Sequence, residues 1–167
     1  MTFGIAMAAI LHLFSDRAGS IVQASDTTYG HIDIPWGSNP ITSPLLSSSR
    51  MRVAQPGGGV TRTQKVEAIG GLTSVREHLR VCWEGDRLGR NCGRCEKCVR
   101  TKVNFLAAGH GTAPALGPLV PGEIRDLTIR STGAHAVFAE LLDETDRLDE
   151  STADDIRWLL AQPLREG

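Results

Sequence analysis

The sequence has 167 residues, of which 41% are hydrophobic and 22% charged, and it carries four cysteines and a formal net charge of −1. This composition excludes a collagen, a coiled coil and a wholly disordered chain, and it is typical of an ordinary globular domain. The charge is unevenly distributed, because residues 1–75 sum to +1, residues 76–102 to +4 and residues 103–167 to −6, and all four cysteines lie in the basic segment.

The first part of the chain predicts a helix, two strands and a long loop. Apolar residues at intervals of three and four predict a buried helix over residues 1–14. Two short runs, residues 20–25 and 51–55, predict strands that are bounded by turn residues. Residues 29–50 contain three prolines and no periodicity, which predicts an ordered loop. The apolar face of the predicted helix consists of Ile5, Ala6, Ala9, Ile10, Leu13 and Phe14.

The middle of the chain predicts two helices with a strand between them. A capping-box spacing places the first helix at residues 62–69. After a helical turn near residues 74–78, the run 79–83 predicts a third strand that delivers Cys82 to a loop, and residues 96–108 predict the second helix. Strands that alternate with helices indicate an α/β fold, with a partial Rossmann-like parallel sheet flanked by helices.

The last part of the chain predicts a linker and a helical tail. Residues 110–122 contain three prolines and three glycines, which is typical of a linker. Amphipathic spacing predicts a helix over residues 134–148 and another that begins at a cap formed by Ser151. We therefore expect an α/β domain at residues 1–109, then the linker, then a helical C-terminal segment at residues 123–167.

The four cysteines form the strongest motif, Cys-x9-Cys-x2-Cys-x2-Cys, at Cys82, Cys92, Cys95 and Cys98. Four thiolates can close a tetrahedron around zinc and leave no position for water, as in structural rather than catalytic sites. Disulfide frameworks usually spread their cysteines through a domain, whereas these are crowded into one loop. The pattern predicts a structural Zn²⁺ site under reducing conditions.

The neighbours of the cysteines favour the thiolate form. Arg94, Lys97 and Arg100, with the amides at the start of the following helix, would lower the thiol pKa and offset the charge of a four-thiolate zinc centre. Gly93 allows a tight turn between two of the cysteines. An iron–sulfur cluster is one alternative, because Cys-x2-Cys-x2-Cys also binds iron. Four buried cysteines without metal are another, but they would not explain the crowding.

The cysteine segment resembles a known family. The stretch Asn91-Cys92-Gly93-Arg94-Cys95-Glu96-Lys97-Cys98-Val99-Arg100 is similar to the C-terminal zinc segment of 7-cyano-7-deazaguanine synthases, where a cysteine after a strand precedes Cys-Gly-x-Cys-x-x-Cys-x-x-Arg. These enzymes belong to the PP-loop superfamily, also called N-type ATP pyrophosphatases or adenine nucleotide alpha hydrolase-like proteins. Residues 40–45 and 63–66 stand where the family has a proline-containing loop and a helix start. The resemblance implies four cysteine ligands for zinc, and ATP-dependent activation of a carboxylate before a nitrogen nucleophile attacks it.

The sequence departs from that family at the ATP site. The family binds ATP through a Ser-Gly-Gly-x-Asp-Ser loop, whose glycines let backbone amides hold phosphate. This sequence contains no such loop. We therefore expect the zinc-bearing C-terminal part of a truncated or divergent relative. It would not be catalytic alone, would use ATP only if a missing N-terminal half were supplied, and would take a nucleotide or small molecule as substrate.

Nothing in the sequence predicts export or membrane insertion. The apolar opening lacks the basic start of a signal peptide and is too short to span a bilayer about 30 Å thick. Together with the crowded cysteines, this favours a cytoplasmic protein without a membrane partner.

The basic segment supports a different class of function. Its positive side chains could bind the phosphates of RNA or DNA, so a zinc-containing nucleic-acid-binding or interaction module is the alternative hypothesis. These side chains are Arg76, Arg80, Arg87, Arg90, Arg94, Lys97, Arg100 and Lys102.

Weaker patterns favour ordinary structure over a site. Residues 57–59 could present amides to an anion, and residues 37–40 could line a pocket, but both are typical turn sequences. His31 and Asp33 could form an acid and base pair, and His78 could supplement metal binding. We expect His31 and Asp33 to be a solvated pair, and His78 to lie at the surface or to support a metal ligand from behind.

Overall fold

The computed structural model describes residues 3–25, 28–34, 37–82, 84–85, 89–143 and 146–165 of the chain. The chain divides into two compact units, Met1–Thr61 and Arg62–Gly167. The first unit contains α1 (Phe3–His12), β1 (Ser20–Val22), β2 (Arg52–Ala54) and two 3₁₀ helices, Tyr29–His31 and Ser43–Leu46. The second unit contains α2 (Arg62–Ile69), α3 (Thr73–His78), α4 (Glu96–Ala107), α5 (Thr132–Asp143) and α6 (Glu150–Leu160). No helix in these ranges is long and apolar enough to cross a membrane.

The sheet of the first unit is a parallel pair. The register of β1 and β2 pairs Ile21 with Val53, and the ladder continues past β1, where the N–H of Gln23 donates to the C=O of Ala54 at 2.8 Å. Ile21 and Val53 are buried together with Met51, because strand residues on one face of the pleat point into the core. Both predicted strands of this unit are present, over shorter spans than the sequence predicts.

Helix α1 packs through its small residues rather than its large ones. Gly4 and Ala8 are buried, and the N–H of Gly4 donates to the C=O of Gly37 at 2.7 Å. A Cβ atom on Gly4 would lie 2.5 Å from that oxygen, so only glycine permits this approach. The predicted helix is present as α1, but the prediction that its apolar face is buried is wrong. More than half of each large side chain predicted for that face is exposed, at Ile5, Ile10, Leu13 and Phe14.

The segment 79–82, predicted as part of a third strand, pairs with a side chain instead of a strand. The N–H groups of Val81 and Cys82 donate to Oδ1 of Asn91 at 3.0 and 3.2 Å. Trp83, the last residue of that predicted strand, lies outside the described residues. The prediction of a strand over 79–82 is wrong. The described ranges show a mixed helix and strand arrangement with one two-stranded parallel sheet, which is much less than the predicted Rossmann-like sheet.

Helix α4 forms the centre of the second unit and is buried on two sides. Val99 and Val103 pack in one hydrophobic core with Phe138 of α5 and with residues of α6. Phe105 packs in a second core with Val66 of α2 and with the cysteines. Different faces of α4 therefore pack in two hydrophobic cores, and both cores hold the helix in the unit.

The predicted helices at residues 62–69 and 96–108 are confirmed as α2 and α4, and α4 ends one residue earlier than predicted. The segment 110–122, predicted as a linker, supplies Ala113 and Leu116 to the core around the cysteines, and both are buried. This segment packs against the unit although it contains no helix or strand.

Helix α6 begins at a different cap from the predicted one. Its N-cap residue is Asp149, whose Oδ1 accepts a hydrogen bond from the N–H of Thr152 at 2.8 Å. The Oδ2 atom of Asp149 also accepts from the hydroxyl of Thr152 at 3.1 Å. Ser151 lies inside the helix and is exposed. Both residue types are good N-caps, and the carboxylate takes the position because it satisfies two donors of buried Thr152.

Replacement of Asp149 by alanine should destabilise the second unit by about 1 kcal/mol, because the N–H groups of the first turn lose their acceptor. Ser151→Ala is the matched control and should change stability by less than about 0.5 kcal/mol. Chemical denaturation followed by circular dichroism measures both variants. Equal losses of stability in the two variants would contradict the assignment of Asp149 as the cap.

Candidate metal centre

The structure brings the four predicted cysteines together. Their Sγ atoms all lie within 4.8 Å of one another. The measured separations are 3.5 Å for Cys95 and Cys98, 3.8 Å for Cys95 and Cys82, and 3.9 Å for Cys92 and Cys98. None of the four is in a disulfide. The cluster could therefore hold a metal ion.

The spacing of the sulfurs fits one tetrahedral ion. Four ligands at about 2.3 Å from a central ion stand about 3.8 Å from one another, and the three measured separations lie close to that value. Two sulfurs in a disulfide would be about 2.0 Å apart. The separations thus fit a set of metal ligands and exclude a disulfide among these pairs.

Two structural elements position the last three cysteines. Cys95 is the N-cap of α4 and Cys98 lies in the first turn of that helix. Cys92 precedes a tight turn in which Gly93 has a φ of +77°, and the N–H of Cys95 donates back to Sγ of Cys92 at 3.3 Å. The predicted tight turn at Gly93 is confirmed. The turn and the helix start bring the three sulfurs to one point.

Asn91 fixes the position of the fourth ligand. Besides accepting from Val81 and Cys82, the side chain donates from Nδ2 to the C=O of Leu79 at 2.8 Å and to the C=O of Ala115 at 2.9 Å. One amide therefore ties the segment before Cys82 to the loop before Cys92. Sequence reasoning gave Asn91 no role. The available signal was an asparagine beside a ligand, since its side chain can replace the hydrogen bonds of a neighbouring strand.

Burial and hydrogen bonds shift the thiol pKa values in opposite directions. The backbone N–H of Cys92 donates to the sulfur of Cys82 and lowers its pKa to about 6. Burial raises the pKa of Cys95 to about 11 and raises that of Cys98 still further. At neutral pH, Cys82 therefore offers a thiolate to an arriving cation, and binding must release protons from Cys95 and Cys98.

Two basic side chains near the cluster are buried and form ion pairs inside the protein. Arg100 is buried and donates to Oε1 of Glu96 at 2.7 Å. Lys102 is also buried and donates to both carboxylate oxygens of Glu123, at 2.8 and 3.0 Å. Its Nζ lies 4.0 Å from the point that a Cβ on Gly93 would occupy, so this ammonium group stands beside the cysteine turn.

The remaining members of the basic segment differ in exposure. Arg76 donates to the C=O groups of His110 and Thr112, at 3.0 and 2.6 Å. Arg80, Arg90 and Arg94 are exposed. Lys97 is half-buried, and Arg87 lies outside the described residues.

The group of possible metal ligands found in the described ranges consists of the four cysteines and includes no histidine. The His31 ring lies 3.2 Å from the hydroxyl of Thr28, in the first unit. The side chain of His78 is 78% exposed, with its Nε2 atom 3.9 Å from a carboxylate oxygen of Glu77. Asp33 is exposed. The exposure of His78 and Asp33 agrees with the expectation of solvated side chains.

The two glycine-containing candidates form turns. Gly57 has a φ of +90°, and its C=O accepts from the N–H of Val60 at 3.4 Å. Oδ1 of Asn39 accepts from the N–H of Ile41 at 2.8 Å. These contacts are ordinary turn chemistry. Trp36, which precedes residues 37–40, lies outside the described residues.

Replacement of Asn91 by alanine should destabilise the second unit by roughly 2–4 kcal/mol, because buried donors and acceptors lose their partner. The same change should weaken metal binding, since Cys82 loses its fixed position. Denaturation and a metal competition titration measure the two effects. Arg90→Ala, which changes an exposed neighbour, is the control. A variant of Asn91 that behaves like Arg90→Ala would refute the positioning role.

Comparisons of this chain with models of protein families, with curated proteins and with solved structures found no match.

Proposed function

We propose that Cys82, Cys92, Cys95 and Cys98 hold one Zn²⁺ ion whose function is structural. The observation that carries the proposal is the separation of the four sulfurs, all within 4.8 Å of one another. Four thiolates fill the coordination shell of zinc and leave no position for water or substrate. A closed shell of this kind stabilises a fold and does not supply a reactive metal-bound water.

A single ion is favoured over an iron–sulfur cluster. A four-iron cluster binds one thiolate on each of four separate irons, so its ligand sulfurs stand further apart than those around one ion. Separations of 3.5 to 3.9 Å match one ion. One iron ion with four thiolates has the same geometry as zinc, and the two are distinguished by metal analysis and by colour.

The ion would hold together a segment that has little regular structure. Between the end of α3 at His78 and the start of α4 at Glu96, the described residues contain no helix or strand. Cys82 lies near one end of this segment and Cys95 at the other. One ion bound to both would close the loop and fix it on α4, and the closed loop would complete the core around Phe105.

The activity of the resembled enzyme family is not part of this proposal. ATP-dependent activation of a carboxylate depends in that family on a glycine loop that this sequence lacks. The nucleic-acid hypothesis is not advanced either. Arg100 and Lys102 are buried in ion pairs, and Arg76 donates to two backbone carbonyl groups. These three of the eight basic side chains are therefore engaged within the protein rather than presented to phosphates.

The purified chain should contain one zinc ion per chain, and removal of zinc by a strong chelator should destabilise the second unit. The expected loss is about 4 kcal/mol where free zinc stands at a thousand times its Kd. Elemental analysis and thermal unfolding with and without chelator measure the two quantities. Metal content far below one per chain, or a coloured protein that contains iron, would overturn the assignment to zinc.

Matched variants locate the metal. Cys95→Ser should lower both zinc content and stability, because it removes one ligand from a closed shell. His78→Ala should keep one zinc ion, since this exposed side chain lies outside the cluster. Loss of zinc in both variants would point to general unfolding rather than to the loss of a ligand.

Zinc affinity should rise with pH. The raised pKa values of Cys95, about 11, and of Cys98 mean that both are protonated at neutral pH, and a metal ion must displace a proton from each of them. The expected change is at least about a hundredfold in affinity per pH unit above pH 6. Below pH 6 the dependence should steepen as Cys82 also protonates, given its pKa of about 6. Competition with a chelator of known affinity between pH 5 and 8 measures this, and a flat profile would contradict it.

A further inference from the structure

We propose that Cys92 is an oxidation site, and that its reaction with a peroxide joins it to Cys98 and releases the metal. This inference rests on the proposed four-thiolate metal site. The geometry that supports it is an asymmetry of the cluster. Cys82, Cys95 and Cys98 are buried, with 6%, 8% and 0% of their surface exposed, whereas Cys92 is half-buried.

Cys92 opens on a cleft that a small oxidant can enter. The cleft has a volume of about 630 Å³, and its lining includes Cys92, Arg90, His78 and Glu77. A hydrogen peroxide molecule is little larger than water, so a cleft of this size admits it easily. Cys82 and Cys98 do not line this cleft, and Cys95, which is buried, lines a separate cleft of about 370 Å³. An oxidant that arrives through the larger cleft therefore meets Cys92 before the other three cysteines.

The thiolate of Cys98 lies close enough to react with an oxidised sulfur of Cys92. The Sγ of Cys98 lies 3.9 Å from that of Cys92, and a disulfide requires the two atoms to approach to about 2.0 Å. The needed movement of about 2 Å is small for a cysteine that sits beside a glycine turn. Cys98 is fixed in the first turn of α4, so the turn that carries Cys92 is the part expected to move.

The reaction balances with one peroxide per disulfide. The Cys92 thiolate attacks one oxygen of hydrogen peroxide, the O–O bond breaks, and the products are a sulfenic acid and, after protonation, one water. The Cys98 thiolate then attacks the sulfur of Cys92, forms the S–S bond and expels hydroxide, which takes a proton to become a second water. Two thiolates supply the two electrons that reduce the peroxide. The metal keeps only two of its four ligands and dissociates.

The first test labels the zinc-loaded full chain with a limiting amount of N-ethylmaleimide. Trypsin cleaves after Arg80, Arg87, Arg90, Arg94, Lys97 and Arg100, so each of the four cysteines falls in a different peptide. The label should appear on Cys92 at least about tenfold faster than on the buried cysteines, because alkylation follows access to the thiolate. First labelling at another cysteine would overturn the inference.

The second test adds hydrogen peroxide to the same zinc-loaded chain. One equivalent should release one zinc ion to a chromophoric indicator and produce a Cys92–Cys98 disulfide by mass spectrometry, and dithiothreitol should restore zinc binding. Retention of zinc, or zinc release without that disulfide, would overturn the inference. Cys92→Ser should slow the release at least about tenfold. Cys95→Ser also removes one ligand but should leave Cys92 as the cysteine that is oxidised fastest. This control separates the effect of oxidant access to Cys92 from the effect of losing one metal ligand.

The two proposals fail in distinguishable ways. A chain that binds no zinc at all refutes the structural metal site, and the inference about Cys92 falls with it. A chain that binds one zinc ion but neither labels first at Cys92 nor releases zinc to peroxide refutes only the inference.

Discussion

The second unit is organised around the close approach of four cysteine sulfurs. Burial raises the pKa of Cys98, and the neighbouring sulfurs of Cys95 and Cys92 raise it further, because thiolates at separations of 3.5 to 3.9 Å repel one another. A divalent cation at the centre converts the repulsion into attraction, because its charge is the largest in the site. The cysteines also pack in one core with Phe105 and Leu116. A change in the positions of the sulfurs would therefore disturb the packing of α4.

The segment that carries the ligands is held by side chains where a sheet would use neighbouring strands. Asn91 supplies four of these bonds, two as acceptor and two as donor. Lys102 contributes in another way, because its buried pairing with Glu123 places an ammonium group beside the turn at Gly93. Both groups act on the same few residues, so they fix the geometry of the cluster from two directions.

Sequence reasoning predicts the parts of this site that local spacing determines. Local spacing in the sequence predicts the cysteine cluster, the turn at Gly93 and helix α4, and all three are present. The partners of Asn91 lie 12 and 24 residues away, at Leu79 and Ala115. No local pattern encodes such contacts. The run 79–82 has the composition of a strand, but an asparagine side chain takes up its N–H groups.

The wrong predictions for α1 and α6 also arise because specific contacts are not visible in the local sequence pattern. The apolar spacing of α1 predicts which residues share a face but not which face packs, and Gly4 decides that through its contact with Gly37. At α6, Asp149 and Ser151 are both suitable caps, and buried Thr152 selects the aspartate. In each case one close contact with a specific partner outweighs a general preference.

The distribution of charge takes its meaning from these contacts. Residues 76–102 carry a net charge of +4, which from the sequence alone suggests a surface that binds phosphate groups. Three of the positive groups point into the protein instead, Arg100 and Lys102 toward carboxylates and Arg76 toward carbonyl oxygens. Glu123, which neutralises Lys102, comes from the acidic part of the chain. The opposite charges of the two segments thus meet inside the second unit, where one such pair lies beside the loop that gathers the cysteines.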